Sequence, residues 1–235
     1  MAATNDAKIW AVIGASGTGK GLWFKQQLKR MKPARLVAWD FMNEYQEAAR
    51  EVTSLEALRR AMVKAGEAGP LRLRYVPKGS GEKALRKEFE TLCELVYAWG
   101  NCVFIAEELA NVTTPGWAPA AWRKMTTSGR HAGVHIVGFT QTPALVDKTF
   151  LGNANFVHVC ALRETPHRQY VAQKIDVPLA DVVALQKFEF IERDFDAGTL
   201  QSGRVKVPGA TGKPSGATST GRGGGKHGQG EAGEG

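Results

Sequence analysis

Ile9–Gly21, IWAVIGASGTGKG, decides the fold: an apolar run, then a glycine-rich turn, then the opening of a helix. Residues 14–21 fit the pattern G-x-x-x-x-G-K, with Gly14, Ala15, Ser16, Gly17, Thr18, Gly19, Lys20 and Gly21 as the candidate phosphate-binding residues. Each part has a physical reason. Glycines permit a tight loop whose backbone N–H groups turn inward around phosphate oxygens. The following helix adds partial positive charge at its amino end. Lys20 adds a full charge for the β- and γ-phosphates. Gly21 departs from the pattern, which wants Ser or Thr there to ligate Mg²⁺. Thr18 or a water is the substitute at hand.

The chain outside this loop alternates short apolar runs with helical patterns. Strands are expected at Ile9–Ile13, Arg35–Asp40, Leu71–Val76, Cys102–Ala106, Val134–Thr140, Phe156–Leu162 and Phe188–Glu192. LRLRYV at 71–76 alternates with period two and reads as a half-exposed or edge strand. Helices are expected over Lys20–Met31, stopped by Pro33, and over Leu55–Ala65, with Ser54 as cap and Ala57 weakening the capping box. Further helices read over Glu82–Trp99 and Ala118–Ser128. This alternation predicts an α/β fold, a mostly parallel sheet with helices on both faces. Ligands in such sheets sit beyond the carboxyl ends of the strands, so the polar residues that follow each strand are the candidates for chemistry.

CVFIA at 102–106 ends in Glu107-Glu108. An apolar strand followed by two acids forms the second half of a P-loop ATPase site: the first acid, Glu107, reaches Mg²⁺, and the second, Glu108, orients the attacking water. Asp is usual in the first place, so Glu107 is a second departure; a solvated loop after a core strand gives the same pattern. Gln141 ends the strand Val134–Thr140 and is placed to sense the γ-phosphate. Arg130, in the turn before that strand, is a candidate to reach a neighbouring subunit's nucleotide, with Arg123 as its rival. Asp40, with Asn43, Glu44 and Tyr45 behind it, either lines the site or ends its strand. His131, His135, His158, His167 and His227 show no metal-ligand spacing with the cysteines, and His135 and His158 read as packed or sheet-edge strand residues. Cys102 reads as inert core.

Lys and Arg number 31 against 23 Asp and Glu, a net charge of +8 that favours an acidic partner. Nine basic residues fall between 59 and 87 (Arg59, Arg60, Lys64, Arg72, Arg74, Lys78, Lys83, Arg86, Lys87), a segment able to bind phosphates without reading sequence. The loop Pro77–Gly81 is a candidate contact, and Trp117 and Trp122 are candidate interface residues. Three cysteines with no CxxC pair point to a reduced compartment. No run approaches the roughly 18 apolar residues of a membrane span, and the start lacks the features of a secretory signal. Twelve of the 27 glycines lie in 203–235, which contains no aromatic residue, so residues 1–202 are expected as the ATPase domain and 203–235 as a basic, disordered tail.

GASGTGKG, VFIAEE and GRHAGVHIVGFTQTP, in that order, resemble the HerA–FtsK superfamily of P-loop ATPases over about residues 8–175. The small size is similar to the genome-packaging ATPases of tailless, internal-membrane DNA viruses such as the tectivirus group. The resemblance implies a RecA-like (ASCE) core and a homo-oligomeric ring, usually hexameric, with ATP and Mg²⁺ between subunits. It further implies pumping of double-stranded DNA, with Lys20 on phosphate, Glu107 on Mg²⁺, Glu108 on water, Gln141 as sensor and Arg130 as trans finger. A capsid-vertex or viral membrane protein would be the docking partner, and the virion vertex or host cytoplasm the location. Two other readings stand beside it: a phage assembly or secretion ATPase of the Zot-like group, which typically carries a membrane segment, and a nucleotide-binding module with weak hydrolysis. A small-molecule kinase would need an acceptor site or lid signature, and none is visible.

Overall fold

A computed structural model describes residues 7–208. In chain order the elements are β1 (Ile9–Ile13), α1 (Lys20–Met31), β2 (Arg35–Trp39), β3 (Arg50–Val52), α2 (Leu55–Ala65), β4 (Leu71–Tyr75), α3 (Glu82–Trp99), β5 (Cys102–Ala106), α4 (Ala120–Ser128) and β6 (Val134–Thr140). There follow α5 (Lys148–Gly152), β7 (Phe156–Cys160), α6 (Thr165–Ile175), α7 (Leu179–Ala184), β8 (Glu189–Asp194) and β9 (Thr199–Arg204). The strands form one sheet in the order β3-β4-β2-β5-β6-β1-β7-β8-β9. Every pairing from β3 to β7 is parallel; β8 and β9 close the far edge as an antiparallel hairpin.

The central strands are apolar throughout because both faces are covered. Alternate residues feed two cores. Ala11, Ile13, Val37, Trp39, Phe104, Ile136, Val157 and Val159 pack against α2 to α7, around Phe89, Trp122 and Phe150. On the other face Val12, Leu36, Ala38, Ile105, Val137 and Phe139 meet α1 through Trp23, Phe24 and Leu28, together with Tyr45 and Val205. Among the described residues, one face therefore carries six helices and the other a single helix and its flanking loops. At the amino end of the sheet, buried Arg35 donates to the carbonyls of Gly66, Gly69, Trp99, Gly100 and Asn101, gathering the carboxyl ends of α2 and α3, where a cation opposes the helix dipoles. Ser54 caps α2, its hydroxyl accepting from Ala57 N at 3.1 Å; the cap needs no acid at that position.

Several expectations are corrected. LRLRYV is no edge strand: β4 lies between β3 and β2, since the exposed three-residue β3 covers its outer side. Arg72 is exposed, while Arg74 is buried against Asp40. Trp122 is fully buried between Phe89, Phe104 and Phe150, so it is core and not interface; Trp117 remains exposed beneath the Arg86 guanidinium. The boundary drawn at 202 falls inside β9, which pairs with β8 through Arg204, and Val205 is buried. The tail expected over 203–235 lies outside the described residues from 209 onward. Helices α5, α6 and α7 and strands β3 and β9 are additions to the elements expected from sequence.

Candidate active site

β1 delivers the chain to the carboxyl edge in mid-sheet, and the loop 14–19 is fastened there at both sides. Gly14 N donates to Thr140 O (3.2 Å) at the end of β6, and Ala15 N to Ala161 O (2.9 Å) just beyond β7. Gly14 has φ +153°, and a Cβ on it would stand 2.7 Å from the Cβ of Cys160, so only glycine fits. Gly19 has φ +117° and lies against Phe188, whose N–H donates to Thr18 O at 2.9 Å; Val205 N in turn donates to Phe188 O at 2.7 Å. Residues from the end of the domain thus form the back wall of a loop near its beginning. Gly19 brings no side-chain cap to α1, so the N–H groups of the first helical turn are left for an anion.

Lys20 Nζ donates to Ala15 O at 3.1 Å, inside its own loop. Burial lowers the Lys20 pKa, opposed by the charges of Glu108, Cys160, Glu44 and Glu107. The Thr18 hydroxyl donates to Ala15 O at 2.7 Å and shapes the loop, while its oxygen lone pairs stay open to another partner.

Glu107 and Glu108 follow β5, the neighbour of β6, and face different partners. Glu107 is 6% exposed and accepts from Met42 N at 3.1 Å. Burial raises its carboxyl to about 8, helped by Asp40, Glu44 and Glu108 and opposed by the Met42 N–H. A carboxylate so placed fits a divalent cation, whose charge reverses that penalty and whose hardness selects oxygen ligands. Glu108 has φ +47°, the left-handed region rare outside glycine, and opens a short 3₁₀ turn at Leu109–Asn111. That turn aims its carboxylate sideways, and Gln141 Nε2 donates to Glu108 Oε1 at 2.6 Å. The structure therefore joins the expected water-orienting acid to the expected sensor.

Asp40 is fully buried and spent on structure. Its carboxylate accepts from Glu44 N (2.7 Å), Tyr45 N (3.1 Å) and Arg74 (2.9 Å), and so builds the turn after β2. Arg74 is 6% exposed and also pairs with Glu51, which removes it from the basic surface. Arg59, Arg60, Lys64, Arg72, Lys78, Lys83 and Lys87 are exposed; Arg59 and Arg60 share Glu56. Arg130 is exposed and precedes β6, whereas Lys20 lies beyond the carboxyl end of the parallel β1. A seven-residue strand separates them, roughly 20 Å at about 3.3 Å per residue. Arg130 does not join the site of its own chain. Arg123 is also exposed, its Nε facing Ala118 O at 3.4 Å.

His158 is packed: it stacks on Trp23 with ring centroids 3.9 Å apart and bonds Glu192 at 2.9 Å. His135 accepts from Lys8 N at 3.2 Å. The Cys102 thiol is pushed up to about 12 by burial, as an inert core residue. Glu44 stands out in the structure, whereas in the sequence it is only a neighbour of Asp40. The signal that points to it is the missing hydroxyl at Gly21, which asks for an oxygen from elsewhere.

No family model matches the chain. It is 30% identical over 179 residues to protein P9 of Pseudoalteromonas phage PM2, a match covering 74% of this chain and 78% of that protein. Among solved structures it superposes on the genome-packaging NTPase B204 of Sulfolobus turreted icosahedral virus 2, in complex with AMPPCP, with a TM-score of 0.66 and 19% identity. That match covers 85% of this chain and 98% of B204. VirB4 of Thermoanaerobacter pseudethanolicus matches with a TM-score of 0.60 and 13% identity, over 88% of this chain and 91% of that one.

Proposed function

The chain belongs to the family of PM2 protein P9, within the HerA–FtsK superfamily of P-loop ATPases, and on that footing we propose that it is a viral genome-packaging ATPase that hydrolyses ATP to move double-stranded DNA. One observation carries the reading: Glu108 and Gln141 are hydrogen-bonded to each other beside the loop that holds Lys20. A kinase or a passive nucleotide sensor has no need of a carboxylate held by an amide at that point. The likeness to B204, a genome-packaging NTPase, supports the biological setting.

The mechanism assigns a task to each group. Amides of residues 16–21 and Lys20 bind the β- and γ-phosphates. Mg²⁺, held with the help of Glu107, would neutralise charge developing between those phosphates. Glu108 accepts a proton from the attacking water and aligns it in line with the leaving oxygen. Gln141 holds Glu108 before turnover; when a γ-phosphate competes for the amide, the carboxylate is released toward water. Arg130, distant from its own site, serves the site of the adjacent subunit in a ring, hexameric by family resemblance. The exposed basic residues on α2, on β4 and between β4 and α3 contact DNA phosphates. No helix among the described residues is long and apolar enough to cross a membrane. A capsid-vertex or membrane protein of the particle would dock the ring, at the virion vertex or in the host cytoplasm.

The test is ATP hydrolysis with and without double-stranded DNA, beside Lys20→Ala. Several-fold stimulation by DNA, abolished in the variant, is the expected result. Hydrolysis indifferent to DNA moves the protein to an assembly ATPase. Binding without hydrolysis moves it to a nucleotide-binding module.

A further inference from the structure

The position that defines this loop as unusual is Gly21, and its surroundings are specific. A Cβ built on Gly21 would stand 3.0 Å from Glu44 Oε2, with no other atom within 4 Å apart from its chain neighbours and its own helix backbone. The space into which a serine or threonine would point is bordered by a carboxylate oxygen from the turn after β2. We propose that Glu44 replaces the absent hydroxyl and that Glu44 and Glu107 together hold the divalent cation of the bound nucleotide. The proposal rests on reading residues 14–21 as the ATP site.

Four further observations support it. The backbone of Glu44 is fixed, although its side chain is 43% exposed: Asp40 accepts from its N–H at 2.7 Å, and Asp40 is held by Arg74. The same turn donates Met42 N to Glu107, so one short segment positions both carboxylates. Glu44 acts electrostatically on Lys20 and on Glu107 alike, so its charge is near both the phosphate-binding amine and the other metal-facing acid. The Tyr45 hydroxyl, in a residue only 1% exposed, lies against the Glu107 carboxylate with Glu44 and Asp40 nearby, so the same turn also supplies a neutral oxygen beside the pair.

The chemistry agrees. Mg²⁺ takes oxygen ligands, keeps several waters and is typically held by one or two carboxylates plus nucleotide phosphates. Among the described residues no group of three or more His, Cys, Asp or Glu side chains is arranged to hold a metal by itself, so phosphates complete the set. Glu44 now pairs with Lys25 at 3.4 Å, an exposed contact that a divalent ion readily displaces. Exchanging a neutral hydroxyl for a carboxylate adds a negative charge to the cation site and makes the cation the stronger determinant of nucleotide retention.

The experiment measures Mn²⁺ affinity by electron paramagnetic resonance in the presence of a non-hydrolysable ATP analogue, and analogue affinity separately in EDTA. The proteins are wild type, Glu44→Gln, Gly21→Ser/Glu44→Gln, and Lys25→Ala. Thermal melts verify that each is folded. Glu44→Gln is expected to weaken Mn²⁺ about tenfold or more, with analogue binding in EDTA unchanged. The double variant is expected to recover most of that loss, because the serine returns the hydroxyl. Lys25→Ala is expected to leave Mn²⁺ binding as tight as in wild type or tighter. Mn²⁺ affinity in Glu44→Gln within about twofold of wild type, or a double variant as weak as the single one, overturns the proposal. A wild-type protein that binds no analogue in either condition overturns the parent reading, and this one with it.

Discussion

Glu108 holds a backbone conformation that a side chain with a Cβ rarely adopts, and such positions persist where surrounding structure over-determines them. Here the apolar β5 on one side and the buried Leu109 on the other pin it, while Gln141 takes its carboxylate. On the proposed mechanism this residue orients the attacking water, and metal binding falls to its neighbour. Glu108→Gln should therefore cost about a hundredfold or more in single-turnover hydrolysis, while analogue affinity and the melting temperature stay close to wild type. A comparable loss of nucleotide affinity would instead assign Glu108 to the cation. That two adjacent acids act differently is legible in the sequence only as a pattern of residue types. Their different partners, Met42 N for Glu107 and Gln141 for Glu108, depend on a dihedral angle that one sequence does not display.

At the scale of elements, what is legible follows from burial. Strands covered on both faces are continuous apolar runs, and β1, β2, β5, β6 and β7 are readable for that reason. β3 and β9 are not: REV and TLQSGR are exposed edge segments whose pairing comes from neighbours, so composition carries little trace of them. Helix α6 begins Thr-Pro-His-Arg-Gln and has only a weak apolar stripe. LRLRYV misleads because its alternation suggests exposure. Its second arginine points inward and is neutralised by Asp40, a tertiary pairing across strands that periodicity does not encode. That pair supports the turn bearing Met42, Glu44 and Tyr45. Arg74→Ala should destabilise the fold by about 3–5 kcal/mol, since it strands a buried carboxylate, and chemical denaturation would measure it. A cost below about 1 kcal/mol would mean that the pair behaves as an exposed one.

For the whole molecule, the phosphate loop and Arg130 sit at opposite ends of one sheet, so the proposed role of Arg130 as a trans finger requires two chains. Lys20→Ala and Arg130→Ala should each be inactive alone, and a mixture of the two should regain DNA-stimulated hydrolysis, because each supplies the group that the other lacks. No recovery on mixing, with recovery when Arg123→Ala replaces Arg130→Ala as the partner variant, would transfer the role to Arg123. The sheet order also bears on how the protein comes into being. β1 leaves the ribosome before the other described strands, yet it lies between β6 and β7, and Ile9 has no strand partner until Ile136 has been made. Its phosphate loop meets its back wall later still, when Phe188 and Val205 arrive. A nascent chain therefore carries an unpaired apolar strand through most of its synthesis, and an interrupted translation product, lacking β6 and β7, has no assembled loop with which to capture nucleotide or poison a ring.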